Sequence, residues 1–223
     1  MPVDVALGHV VEQQAVWSVA ASRAKSSIFR WRTTALVLGM VGAASGALAA
    51  QTFSAGSAPA RTAAVVGAVC LALVPVVLQQ RAGLAATTAW IRKRSVSEEL
   101  KSQMFLYLTR TEPYDGPDAS ERLADEAQRV IGDAAELQGA TAGITTSARP
   151  PAVTDIESYD RLRVVQQIEE YYRPRAAELQ RKLRLAQTAV YGFALLGAAL
   201  AAAAAAVAED IQRPVAVWVP VAT

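Results

Sequence analysis

Charged and uncharged stretches divide this chain more sharply than any single motif does. Residues 33–60 contain no Asp, Glu, Lys, Arg or His; one charge follows, Arg61, and residues 62–80 are again free of charge. A helix needs roughly 20 mostly apolar residues to cross a hydrocarbon core of ~30 Å, and both runs are close to that length. Within lipid only a helix or a closed barrel satisfies its own backbone polar groups. The runs are too long and too continuous for alternating barrel strands of about 10 residues. The pattern therefore predicts two spanning helices, at about 33–51 and 62–80, turned by the AGSAPA stretch at 55–60. Two readings compete with this one. A pair of buried helices in a soluble protein shows similar runs, and residues 46–51 (GALAAQ) look like a signal cleavage site. Against cleavage, the 32 residues ahead of the first run are long for a signal's n-region, and a second run follows at once.

Amphipathic stretches flank the hairpin. Val10, Gln14, Trp17, Ala21, Ala24, Ile28 and Trp31 recur at alternating four- and three-residue steps, the seam of an amphipathic helix. No Pro or Gly interrupts the run from Val10 into the first span, so one long helix is expected to begin in water and continue into the membrane. Trp31, set between Arg30 and Arg32, suits a lipid–water boundary, where such side chains anchor. Gly39, Gly42 and Gly46 belong to a row of small residues along the first span, and Gly42 and Gly46 make a GxxxG pair, which lets helix backbones approach closely in lipid. Together with Gly67 they are the expected packing positions in the membrane, above all for the first span against the second. Pro75 is expected to kink the second span. A helix then leaves the membrane with Arg92-Lys93-Arg94 as a basic collar and stops at Pro113, Gly116 and Pro117. Residues 118–138 read as a short acidic helix, and 139–154 as a flexible linker.

Strong helical signal returns at 155–187. Val165, Ile168, Tyr172, Ala176, Leu179, Leu183 and Ala186 keep a three/four spacing that suits a coiled-coil-like seam, and Pro174 is expected to bend it or remove a hydrogen bond. Past the boundary residue Arg184, residues 188–208 are uncharged and long enough to span. Residues 214–223 are uncharged too; ten residues cannot cross a bilayer, so they are read as the start of a fourth span whose remainder is absent from this chain. The second half thus repeats the order of the first. Sliding by 154 residues superposes Val10-Val11 on Val164-Val165, Gln13 on Gln167, Trp17 on Tyr171 and Arg30 on Arg184. The expected organisation is a first unit at 1–138, a linker at 139–154 and a second unit at 155–223. The expected fold class is all-α: two integral-membrane helical hairpins, the last span incomplete, with long cytoplasmic helical extensions.

Charge settles the expected orientation. With the tips at 51–61 and 209–213 outside, 20 of the 22 basic residues fall on the cytoplasmic side, as the positive-inside rule requires. Both hairpins then run in-out-in, with the N-terminus in the cytoplasm. The basic residues are 18 Arg and 4 Lys beside heavy Ala usage, which reads as a high-GC bacterial genome, and the expected location of the spans is a bacterial inner membrane.

Composition also closes off much chemistry. Cys70 is the one cysteine and His9 the one histidine, so an internal disulfide, metal clusters and His-based triads are not expected. No Gly-rich phosphate loop, HExxH or GxSxG occurs. Neither catalysis nor a cofactor is expected, and the basic collar reads as a solvated face, not a nucleic-acid site. No charged residue lies within 33–60 or 185–208, where one would cost about 2.5–3.5 kcal/mol on insertion scales. Ion-coupled transporters usually retain such a residue, so its absence favours a passive pore or an anchor.

Three stretches carry a family resemblance: Trp17 ahead of the hairpin, residues 100–108 (LKSQMFLYL) after it, and residues 159–172 (YDRLRVVQQIEEYY) with Arg175-Ala176 before the second hairpin. Together they resemble the SLATT family of two-span effector domains of bacterial nucleotide-signalling conflict systems, as two units in tandem. The resemblance implies a membrane effector that forms pores or disrupts the membrane during phage attack when a partner protein senses nucleotide signals. Oligomers assembled through the seam Val165, Ile168, Tyr172, Leu179 and Leu183 and through Gly42 and Gly46 are the expected route to a pore. The competing expectation is a non-conducting membrane scaffold whose cytoplasmic helices recruit a partner.

Overall fold

The computed structural model describes residues 5–51, 57–165 and 167–206, and every element among them is helical. Helix α1 (Val5–Gln51) is followed by α2 (Ala58–Ala82), α3 (Leu84–Leu108) and α4 (Ala119–Gly132). A 3-10 helix (Ala135–Ala140), the short α5 (Ile156–Tyr159), π-helical turns at Asp160–Val165 and Ile168–Tyr172, and α6 (Arg173–Ala206) complete the order. The chain forms two compact units. One holds Met1–Phe29 with Ala82–Pro174, the other Arg30–Arg81 with Arg175–Thr223. The expected fourth span and the end of the third, residues 207–223, lie outside the described residues.

Helix α1 is unbroken for 47 residues, as the absence of Pro and Gly between Val10 and the first span requires. Its predicted seam is the face it buries: Val10, Trp17, Ala21 and Ile28 are buried. In the first unit this face meets Val96, Leu100 and Met104 of α3 and Leu123, Ala127 and Val130 of α4 in one apolar core. The polar seam position, Gln14, is accommodated by a matching polar group. Its amide donates to Ser97 Oγ at 3.1 Å, and the Ser97 hydroxyl donates back to the Gln14 carbonyl at 3.3 Å. Ser97 is wholly buried, so this exchange satisfies groups that would otherwise be costly to remove from water.

Chain reversal after α3 explains why α4 returns to the same core. The Thr111 N–H bonds to the Leu106 carbonyl and the Arg110 N–H to the Tyr107 carbonyl, the paired bonds that close a helix with a left-handed residue after its cap. That residue is Arg110, at φ 53°, a conformation that glycine adopts more readily. Its guanidinium lies 5.3 Å from the centre of the Tyr107 ring, which offsets part of the backbone cost. Tyr114 then turns inward, fully buried, with its hydroxyl donating to Gln103 Oε1 at 2.8 Å. Burial pushes its phenol above the ordinary tyrosine range.

The 155–187 stretch is helical, with its irregularity placed ahead of Pro174. Asp155 caps its start: the Ser158 N–H donates to the Asp155 carboxylate at 2.7 Å, while the Asp155 N–H donates to Ser158 Oγ. Two π-helical turns follow before α6 begins at Arg173. Pro174 supplies the physical reason for the second of them, because its ring crowds the carbonyl four residues back and it has no N–H to donate. The wider turn at Ile168–Tyr172 makes room for the ring, and from Arg173 the helix is regular to Ala206. Val153, in the stretch expected to be a linker, is buried.

Trp17→Ala should destabilise the protein by about 3–5 kcal/mol, because a buried indole is replaced by a cavity. Ser97→Ala, which strands the Gln14 amide, should cost about 1–3 kcal/mol. Denaturant titration of the micelle-solubilised chain, read by tryptophan fluorescence for Ser97→Ala and by circular dichroism for both, checks this. The hydrogen bond from the Ser158 N–H holds the Asp155 carboxyl below its ordinary range. The stabilisation by this cap is therefore complete above the ordinary aspartate range and lost as pH falls through the lowered value. The protection factor of the Ser158 amide, its exchange rate corrected for the intrinsic pH dependence, should fall across that acid window, and Asp155→Asn should show no such fall.

Candidate functional site

Helices α1 and α2 touch where neither has a side chain. A Cβ built on Gly67 would sit 3.0 Å from the Gly42 carbonyl oxygen and 3.2 Å from the Gly46 nitrogen. One built on Gly42 would sit 2.7 Å from Leu71 Cγ and 3.2 Å from the Gly67 carbonyl oxygen. Backbone is thus in contact with backbone, which only glycine at both positions permits. Toward the other end of the pair, the Arg81 guanidinium covers the Trp31 ring at 5.5 Å. Pairing of 31 with 81 and of 42 with 67 means that the helices run in opposite directions. Within residues 33–50 of α1 and 58–81 of α2 the buried positions are small: Ala35, Gly42 and Ala47 on the first, Ala60 and Gly67 on the second.

The remaining predicted packing positions behave differently. A Cβ on Gly39 or on Gly46 would meet nothing within 4 Å. Gly39 lines a groove of about 650 Å³ on the hairpin, walled by Leu36, Met40, Val74 and Leu78, with Arg32 at one end. Gly42 is therefore occupied within the chain, whereas the Cβ directions of Gly39 and Gly46 are open. Arg30 and Arg184 are exposed, and Thr34 Oγ1 donates to the Arg30 carbonyl at 3.0 Å. On the 155–187 stretch, Val165, Ile168, Tyr172, Leu179 and Leu183 are all exposed.

Large apolar side chains of the hairpin point outward. Leu36, Met40, Val65 and Val69 are each more than half exposed, and Leu71, Leu73 and Val76 continue the same surface. The stretches Val5–Ala50 and Ala58–Leu108 are long and apolar enough to cross a membrane. In the unit that holds α3 and α4 the character is different. Arg92 reaches Glu136 at 2.5 Å and donates to the Asp133 carbonyl, Arg94 pairs with Glu98, and Lys25 covers the Trp90 ring at 5.9 Å. The predicted basic collar is thus partly neutralised by the acidic 118–138 stretch. Leu71, Arg81 and Trp90 were not picked out by the pattern. Arg81 beside Trp31 is the mirror of the Arg-Trp-Arg signal, but periodicity within one helix does not reveal a partner on the next.

Gly67→Ala should separate the helices and cost about 1–3 kcal/mol, since the obstructing atoms are backbone. Gly39→Ala meets open space and should be neutral or stabilising by up to about 1 kcal/mol from helix propensity. Thermal unfolding of the two variants in detergent tests the contrast; equal melting temperatures would show that the glycine contact does not hold the hairpin.

No curated protein and no solved structure matches the chain. Residues 15–122, from the buried seam of α1 through the hairpin and α3 into the first turn of α4, match a family described as a protein of unknown function, DUF4231.

Proposed function

We propose that this protein is a bacterial inner-membrane effector that oligomerises in the bilayer and opens a pore or disrupts the membrane, as two SLATT-type units in tandem. The observation that carries this reading is the outward-facing apolar surface of a hairpin whose own contact uses glycine. A contiguous apolar surface of this kind is unfavourable in water, whereas lipid or other copies of the chain provide surroundings of matching polarity. The family match over residues 15–122 falls inside the first proposed unit, which supports treating that unit as one module. In this reading the N-terminus, α3, α4 and the 155–187 stretch are cytoplasmic and the tip near Ser57 is outside.

Assembly would use the faces left uncovered in one chain, those of Gly39 and Gly46 and the Val165–Leu183 seam. A nucleotide-sensing partner protein would then supply the trigger. A scaffold without conductance differs from this in one respect, ion flux.

Induction of the full chain in bacteria should depolarise the membrane, followed with a voltage-sensitive dye, and Gly46→Leu should reduce depolarisation and oligomer content together. Insertion and assembly without depolarisation, even with neighbouring sensor genes supplied, would establish the scaffold instead. Orientation has its own test. In a Cys70→Ser background, a cysteine at Ser57 should react in intact cells with a membrane-impermeant thiol reagent, while one at Ser120 should react only after lysis.

A further inference from the structure

The unit holding Ala82–Pro174 contains a cavity of about 390 Å³ between α3 and the π-helical stretch. Arg94, Glu98, Lys101 and Phe105 form its wall on α3, spaced by four, three and four residues and therefore on one helical face. Tyr159, Arg163 and Tyr172 stand on the opposite wall. Its charge is unbalanced. One carboxylate, Glu98, serves two cations, pairing with Arg94 and reaching Lys101 Nζ at 3.4 Å. Arg163 has no ion pair among the described residues and lies over the Phe105 ring at 5.3 Å. Three cations against one carboxylate leave a surplus of two positive charges.

The aromatic lining is ordered around the same point. Phe105 and Tyr159 meet edge to face at 5.1 Å. The π-helical turns at Asp160–Val165 and Ile168–Tyr172 supply Arg163 and Tyr172 to the wall; such turns are rare and recur at functional sites. Lys101 is held below the ordinary lysine range by burial and then by Arg163, only partly countered by Glu98. Positive charge is thus crowded along the cavity wall, and an incoming anion would relieve it.

We propose that this cavity binds a phosphate monoester that carries a flat ring, of about mononucleotide size. A phosphate monoester bears roughly −1.5 to −2 charges at neutral pH, which matches the surplus of two. A guanidinium offers planar, paired donors to phosphate oxygens, and Arg163 is the one with no ion pair to displace among the described residues. Phe105 and Tyr159 supply faces and edges for a ring. The volume lies at the small end of ligand pockets, which run from about 300 to 1,000 Å³. A bare anion would leave the rings unused, and an uncharged ring would leave the cations unpaired.

The test is calorimetric titration of the full-length protein in micelles at low salt, with adenosine 5′-monophosphate, adenosine and inorganic phosphate as separate probes. The monophosphate should bind at least about tenfold more tightly than either fragment, and Arg163→Gln should weaken it about tenfold or more, the scale of one lost charge-assisted contact. Phe105→Leu should weaken the monophosphate and leave phosphate unchanged; if that variant melts early, Tyr172→Leu carries the same comparison from the opposite wall. Arg149→Gln, away from the cavity, should change nothing. Equal affinity for phosphate and the monophosphate, no binding of the monophosphate, or unchanged binding in Arg163→Gln would each overturn the proposal. Membrane potential does not enter this readout, so it stands or falls apart from the pore.

Discussion

Two helix backbones can come into contact only where both lack a Cβ, and Gly42 with Gly67 is where α1 and α2 meet that condition. The rest of the hairpin is arranged around this contact. Ala35 and Ala60 continue the narrow buried face on either helix, and the bulky residues are turned outward because the interface has no room for them. The glycine pair therefore decides two things together: how closely the helices run, and that the apolar mass of both lies on the outside. In water the second would be a liability. On the membrane reading proposed above it is the surface that lipid or further copies cover.

The same helix α1 contributes to both compact units without a break. Its seam repeats in steps of three and four residues from Val10 through Ile28, and Ala35 and Gly42 continue it at seven-residue intervals. What changes along it is size and polarity. Trp17 and Val10 fill a core with α3 and α4, Gln14 exchanges hydrogen bonds with Ser97, and beyond Trp31 the face narrows to Ala and Gly. Large residues suit a core that several helices enclose. Small ones suit two helices that must approach alone, with only van der Waals contact between them.

The two proposed roles divide along similar lines. The hairpin has an apolar exterior and no charge between Thr33 and Ala60, which suits insertion and assembly. The polar cavity between α3 and the 159–172 stretch has unbalanced charge and clustered rings, which suits recognition of a small anion. The family match over residues 15–122 takes in the hairpin and the α3 wall of this cavity but not the opposing wall. The ring- and charge-bearing residues 159–172 lie outside the matched stretch.

Read alone, the sequence determined that the chain is helical, where the apolar runs lie and which face of α1 is buried, because helical periodicity and the absence of charge are local properties. It also marked Gly39, Gly42, Gly46 and Gly67 as close-packing candidates and grouped Gly42 with Gly46, where the contact in the structure pairs Gly42 with Gly67 and leaves the Cβ direction of Gly46 open. Only the tertiary structure made that distinction, since whether a missing Cβ matters depends on the atom opposite, and that atom belongs to another helix. The π-helical turns ahead of Pro174 were hidden for a related reason: the sequence shows that proline disrupts the regular bonding but not on which side the chain yields. Arg94, Lys101 and Arg163 are ordinary charges on separate amphipathic stretches when read in order. They become a cluster around Phe105 only when the 159–172 stretch folds back on α3.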